Sequence, residues 1–135
     1  MHRWLVNGEL PPRAERFEHR HGIEELVRDA SGNVLGGVRT PWLTVPTAAY
    51  APHSTASEES ERPPEWMPFG DPQMLARLVG SMRPFRIAEL RERYGSRAGY
   101  LDRFALAVRD QVRSGLLLDD DADELLREAP KRWRG

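Results

Sequence analysis

The stretch DASGNVLGGVRTPWLTVP, residues 29–46, carries more turn-forming residues than a simple helix or strand needs. Its first part, Ser31-Gly32-Asn33, is typical of a tight turn between two short antiparallel strands. Pro41 and Pro46 lack a backbone N–H and restrict the residue before them, so they end any strand pairing. We therefore expect one small β-hairpin and an irregular loop within residues 23–46.

Three features of this stretch predict particular contacts. The pair Gly36-Gly37 weakens strand propensity and predicts a bulge or a place where another backbone comes close. Arg39 is either a guanidinium that braces loop carbonyls or a carboxylate-binding arginine at the rim of a substrate site. Trp42, together with Trp66 and Phe69, is either a buried anchor or the wall of a substrate pocket. Arg39 and Trp42 are the candidate substrate-rim residues.

The composition excludes several classes of partner. Twenty Lys and Arg face twenty-one Asp and Glu, and the net charge of −1 gives no field that favours nucleic acid or an anionic membrane surface. The absence of cysteine excludes disulfides and thiolate ligands. No stretch approaches the roughly 18 apolar residues of a membrane span, and the N-terminus lacks the pattern of a signal peptide. We expect a soluble chain without a cofactor, nucleic-acid partner or membrane span; its compartment stays open.

The length and residue pattern indicate one domain that is mainly α. A chain of 135 residues with 39% apolar residues holds one thinly buried core. Residues 1–8 are typical of a helix end, too short to be stable alone, and predict the remainder of a longer helix in a truncated chain. Residues 51–70 predict a loop. Residues 71–135 predict a helical tail, with a helix from Arg97 to Ser114 that Ser96 caps. The expected fold class is mainly α with irregular loops and one small β-hairpin.

Several stretches resemble, in the same order, the sequence signature of a bacterial family of alpha/beta hydrolase domain proteins. They are His2–Pro12, similar to L-x-RWV-x-DG-x-x-PP; residues 29–46, similar to DADGN-x-LGGVRTPWV-x-VP; Gly80–Phe85, similar to GS-x-x-PF; Glu92–Ser96, similar to ERYGS; and Gly115–Ala122, similar to GFLL-x-x-DA. The resemblance covers nearly the whole chain.

The resemblance implies the C-terminal segment of a serine hydrolase that cleaves a carboxylic ester or similar bond. A complete sheet of that fold, with about eight βα units of some 30 residues each, needs roughly 200 residues or more and does not fit in this chain. The family's chemistry needs a serine in a G-x-S-x-G turn. Ser81 follows Gly80, but Arg83 stands where the second glycine belongs, so Ser81 is expected to be a capping or loop serine. We expect no catalytic residue, inactivity in isolation, and the missing upstream hydrolase domain as a partner.

Other polar clusters have a structural and a functional interpretation. His19 and His21 could hold a metal but lack a third ligand nearby, which favours a polar loop. His2 and His53 are isolated. Residues 29–33 have a weak likeness to a calcium loop, but the glycine is misplaced, which favours a turn. The alternative function, from a different class, is a non-enzymatic helical interaction module that uses residues 97–129 to bind a protein partner.

Overall fold

The computed structural model describes residues 2–20, 25–52, 78 and 80–134. Its helices in these ranges are α1 (His2–Asn7), α2 (Pro41–Thr44), α3 (Ile87–Tyr94), α4 (Arg97–Arg113) and α5 (Asp119–Arg132). Its strands are β1 (His19–Arg20), β2 (Glu25–Leu26), β3 (Ala48–Ala51) and β4 (Ser81–Pro84). The expectation of a mainly α chain with irregular loops, rather than a complete α/β sheet, is confirmed. In the described part of the chain, no helix is long and apolar enough to cross a membrane.

The core lies between α4 and α5. The Ser96 hydroxyl accepts a hydrogen bond from the Gly99 N–H at 3.1 Å, so α4 begins with the predicted serine cap. An apolar stripe at helical spacing then faces α5 and the signature loop, here defined as residues 29–46. The buried core residues are Val45, Tyr100, Phe104, Ala107, Val108, Ala122 and Ala129. The helix predicted from Arg97 is confirmed, and it ends at Arg113.

The short helix α2 attaches the signature loop to this core. Pro41 occupies its first turn, where a missing N–H costs nothing, and is itself buried. Trp42 packs against Phe104, with their ring centroids 4.5 Å apart. The loop therefore rests on the middle of α4.

The tight turn predicted at Ser31-Gly32-Asn33 is confirmed. The Gly32 N–H donates to the Asp29 carbonyl at 2.9 Å, and an antiparallel bridge joins Arg28 to Val34. The two arms of the turn are joined by this isolated bridge and do not form longer strands. The Val27 N–H donates to the Glu18 carbonyl at 3.0 Å, so the first arm of the turn also pairs with the residue just before β1.

The close approach predicted at the glycine pair is also confirmed. A Cβ on Gly36 would collide with the carbonyl oxygen of Arg16, and Gly36 has a φ of +82°. A Cβ on Gly37 would lie 2.6 Å from the Phe17 ring. Only glycine lets the backbone of residues 15–17 pass this close.

Extended structure differs from the expected single hairpin. Among the described residues there are two antiparallel two-stranded sheets, β1–β2 and β3–β4. In the second sheet Ala48 pairs with Pro84 and Ala51 with Ser81. Residues 81–84 were expected to belong to the helical tail, and their assignment to β4 corrects that. The local sequence does not reveal this strand because its partner β3 lies about 30 residues earlier in the chain.

Some expectations stay predictions. Helix α1 ends at Asn7, but its origin as the remainder of a longer helix is untested. The loop expected over 51–70 lies outside the described residues apart from Ala51, which ends β3, and Pro52. Trp66 and Phe69 also lie outside the described residues.

Candidate functional site

The signature loop is organised by hydrogen bonds from its own backbone. One carboxylate oxygen of Asp29, Oδ1, accepts from the backbone N–H of Ser31 at 2.8 Å and of Asn33 at 3.0 Å. These bonds hold the chain in the turn and leave Oδ2 for a different partner. These bonds show the turn expected at residues 29–33. Among the residues described, no cluster of three or more His, Asp or Glu side chains could hold a metal ion.

Arg39 is the partner of the second carboxylate oxygen of Asp29, Oδ2. Its Nη2 lies 2.6 Å from Asp29 Oδ2 and donates to the Leu43 carbonyl at 2.8 Å, while its Nη1 donates to the Val34 carbonyl. The guanidinium therefore spans the turn, the strand arm after it and helix α2 at once. This is the bracing geometry named as one alternative for Arg39, and it uses the planar fork that a lysine lacks. The substrate-rim role of Arg39 stays a prediction.

Asn33 is the polar residue that sequence reasoning missed. Its side chain is fully buried, its Oδ1 accepts from the Tyr50 N–H at 2.7 Å, and its Nδ2 donates to the Ala48 carbonyl at 3.2 Å. The Asn33 carboxamide thereby connects the turn to the backbone of β3 at Ala48 and at Tyr50. The sequence signal for Asn33 indicated only a turn residue, because both partners are distant in the chain.

Two residues of the helical tail complete the attachment of the loop. Arg93, on α3, donates from Nη1 to the Ser31 hydroxyl at 2.8 Å and lies over the Phe85 ring, 4.6 Å from its centroid. Gln111, on α4, donates from its side-chain amide to the Arg39 carbonyl. The loop is thus held through its turn and through its second half.

Aromatic side chains form a continuous layer beneath the loop. Tyr100 lies 5.8 Å from both Phe104 and Trp133, and 5.4 Å from Tyr94, between ring centroids. The Tyr94 hydroxyl donates to the Pro46 carbonyl at 2.7 Å, and burial raises the pKa of Tyr94 to about 12. Burial also raises the pKa of Tyr100. Both phenols are therefore neutral near pH 7, and Tyr94 acts as a hydrogen-bonding group whereas Tyr100 acts through packing.

Trp42 is at once an anchor and the wall of a groove. One side of the indole packs on Phe104, and the Arg132 guanidinium lies 5.0 Å from the ring centroid. The groove beside it has a volume of about 440 Å³ and combines an apolar floor with carboxylates of α5. Its lining includes Val38, Pro41, Leu117, Leu125, Asp121, Glu124 and Glu128. This lining offers apolar contact, three carboxylates and the Arg132 guanidinium, and it contains no serine, cysteine or histidine.

The other sequence candidates lie apart from this groove. Ser81 lies on β4, paired with Ala51, so it is a strand residue instead of the expected capping or loop serine. It does not stand on a strand-to-helix turn, the geometry that an attacking serine of this fold requires. His19 lies exposed on β1. His21 and His53 lie outside the described residues, and no side-chain position is described for His2.

Comparison with known proteins places the chain in a family. The family described as "Alpha/beta hydrolase domain" matches residues 1–127. Neither the curated proteins nor the solved structures contain a significant match. The family match includes the signature loop and most of the helical tail, and it agrees with the resemblance carried by residues 29–46. The chain therefore belongs to the alpha/beta hydrolase domain family.

Proposed function

We propose that this chain is a non-catalytic, C-terminal structural part of an alpha/beta hydrolase whose active form is a serine carboxylic-ester hydrolase, and that it is inactive alone. The observation that supports the proposal is that polar side chains of the signature loop form their bonds within the loop itself. The Asp29 carboxylate and the Arg39 guanidinium bind each other and loop backbone. Side chains that are already bonded to each other and to loop backbone hold the loop in position and do not attack a substrate.

An exposed apolar arm supports a docking role. Leu5 on α1 and Leu10 after it are 73% and 74% exposed, and Phe17 is 54% exposed. We infer that these exposed apolar side chains belong to a surface that another part of a protein covers. The rest of the hydrolase fold is the partner that we propose for this arm.

Hydrolysis of p-nitrophenyl acetate and butyrate by the purified chain tests inactivity. We expect a rate equal to that of the heat-denatured chain, and an unchanged rate for Ser81→Ala. Saturable turnover that survives repurification and is lost in Ser81→Ala would show that the chain is an enzyme by itself.

Dye binding tests the proposed docking arm. We expect fluorescence of a dye specific for exposed apolar surface, and we expect Leu5→Ser/Leu10→Ser to reduce it. The control is Leu78→Ser/Leu118→Ser, because these two leucines are equally exposed, at 72% and 70%, but lie elsewhere in the chain. Equal loss of fluorescence in both double variants would contradict a specific docking arm.

The rival function, a non-enzymatic helical interaction module, has one observation in its favour. Leu106 on α4 and Leu126 on α5 are 55% and 39% exposed on the helix pair within 97–129. The coding sequence immediately upstream of Met1 discriminates between the two functions. A G-x-S-x-G coding region there, in frame or frameshifted, supports the hydrolase segment, whereas a promoter and ribosome-binding site support the module.

A further inference from the structure

A second groove runs between α4 and α5 and shares no lining residue with the groove at Trp42. Its volume is about 480 Å³, and its floor is apolar. The floor is formed by Val108, Val112, Ala122 and Leu126. Since Val112 is half-buried and Leu126 is 39% exposed, this floor is open to an occupant.

The two rims of this groove carry opposite charge. Arg109 and Arg113 line it from α4, and Asp119, Asp120 and Asp123 line it from α5. In the described part of the chain, no ion pair joins one rim to the other. Arg113 instead lies 3.4 Å from Asp110 of its own helix, and both side chains are largely exposed.

The charge pattern reverses along the helices. Position 102 shares a helical face with 109 and 113, so α4 carries Asp102 at one end of its stripe and arginines at the other. On α5, Asp119 and Asp123 are followed at four-residue spacing by Arg127 and Lys131. The helices are antiparallel, because Arg97 at the start of α4 donates to the Pro130 carbonyl near the end of α5. Near both ends of the hairpin, the two stripes therefore have opposite sign.

We propose that a second copy of this chain occupies this groove and forms a two-fold symmetric four-helix bundle. With the two-fold axis along the groove, α4 of each copy lies over α5 of the other at the same height. The arginines of one copy then meet the aspartates of the other, Asp102 meets the basic end of α5, and the apolar floors close on each other. A two-fold interface requires a surface that is complementary to itself, and a surface with one stripe of each sign meets that requirement. Two helical hairpins joined face to face give the ordinary packing of a four-helix bundle.

Molar mass measured by sedimentation or light scattering tests this proposal without any assay of hydrolysis, so its result is independent of the proposed function. At a concentration of about 0.1 mM, which saturates a dimer with a Kd near 1 µM, we expect the wild-type chain to have twice its monomer mass. Arg109→Glu/Arg113→Glu should raise the dissociation constant at least about tenfold through like-charge contact. Asp119→Lys/Asp123→Lys should do the same, with Asp120 and Asp121 left as acidic residues in the first turn of α5.

A mixture of the two charge-reversed variants is the decisive arm. In the proposed arrangement each variant's altered helix faces an opposite charge in the other variant, so a 1:1 mixture should recover a dimer near wild-type affinity. Arg13→Glu/Arg91→Glu, on exposed residues away from the groove, makes the same change in net charge and should leave the dimer intact. Far-ultraviolet circular dichroism establishes that all variants keep their helices. A wild-type monomer, a dimer that neither reversal weakens, a control as weak as Arg109→Glu/Arg113→Glu, or a mixture that stays monomeric each overturns the proposal.

Discussion

Arg39 and Asp29 form an ion pair of 2.6 Å, ten residues apart in sequence, across the base of the signature turn. Both side chains are about one-fifth exposed, so water screens the pair less than it screens a surface pair. The guanidinium also holds two loop carbonyls. The ion pair therefore also holds the backbone of the signature loop in place.

Replacing Arg39 should weaken the folded state. Arg39→Lys keeps the charge but loses the planar fork, and we expect it to lower the free energy of unfolding by about 1–3 kcal/mol in urea denaturation. Arg83→Lys is the control, because the Arg83–Glu89 pair is longer, at 3.5 Å, and more exposed. It should change stability by under about 0.5 kcal/mol. Equal effects would mean that Arg39 acts only as a surface charge.

Removing the Asn33 carboxamide should leave one buried and one partly buried backbone group unpaired. Asn33→Ala leaves the Tyr50 N–H and the Ala48 carbonyl without their hydrogen-bond partner, and we expect it to lower the free energy of unfolding by about 2–4 kcal/mol. Asn33→Asp keeps an acceptor for Tyr50 but sets a carboxylate oxygen against the Ala48 carbonyl, so it should also destabilise. Chemical denaturation measures both. Ser114→Ala, which removes an exposed local hydrogen bond, should cost much less, and a loss of equal size there would argue against burial as the cause.

Gly36→Ala should detach the arm of residues 15–17. The added methyl collides with the Arg16 carbonyl in addition to the strain of a positive φ. Gly8→Ala is a matched control, since its φ is +70° but nothing lies within 4 Å of the added Cβ. Amide exchange should accelerate at Gly37, whose N–H donates to the Glu15 carbonyl at 2.8 Å, in the first variant and not in the second. Unchanged exchange in Gly36→Ala would refute the close approach.

Alkaline pH should unfold the chain through its buried phenols. The folded pKa of Tyr94 is raised from 10.0 to about 12, so its burial contributes stability that is complete below pH 10 and is lost as pH rises towards 12. Tyr94→Phe should cost about 0.5–1.5 kcal/mol at pH 7, from the lost bond to Pro46, but show a smaller further loss between pH 10 and 12. Denaturation at several pH values, with phenolate absorbance, measures this. Parallel curves for the two proteins would rule out Tyr94 as the titrating group.

Phe104→Ala should remove the centre of the core. The ring is fully buried between Trp42 and Tyr100, so we expect a loss of about 3–5 kcal/mol and faster amide exchange throughout 97–129. Leu106→Ala, two residues along the same helix but 55% exposed, should cost little. In the wild-type chain, exchange should be slower in 97–129 than in 23–46. Uniformly fast exchange would contradict independent folding of the helix pair.

The sequence predicted the features whose cause is local. Ser96 caps a helix because its partner Gly99 is three residues away, and the turn at 31–33 was likewise visible in neighbouring residues. At Gly36 the glycine pair indicated a close approach, but not that the backbone of Arg16 makes it. The strand β4 was not visible, because its hydrogen-bond partners belong to β3.

The residues of the candidate site likewise include some that the sequence predicted and some that it did not. Sequence reasoning found Arg39 and Trp42 because their residue types are informative in a loop with prolines. It missed Asn33, Arg93 and Gln111, whose partners in the site lie from 15 to 72 residues away. Long-range hydrogen bonds of this kind leave no periodic or local pattern in one sequence.

The pairing of Ala51 with Ser81 also bears on how this chain can change. The two residues that flank the intervening segment, residues 52–80, therefore lie side by side. Lengthening a segment whose ends are already held together costs little, about 0.6 kcal/mol for each doubling of its length. A longer connection between these two positions should therefore cost little in chain entropy, which makes it a place to splice in an epitope or a fluorescent reporter.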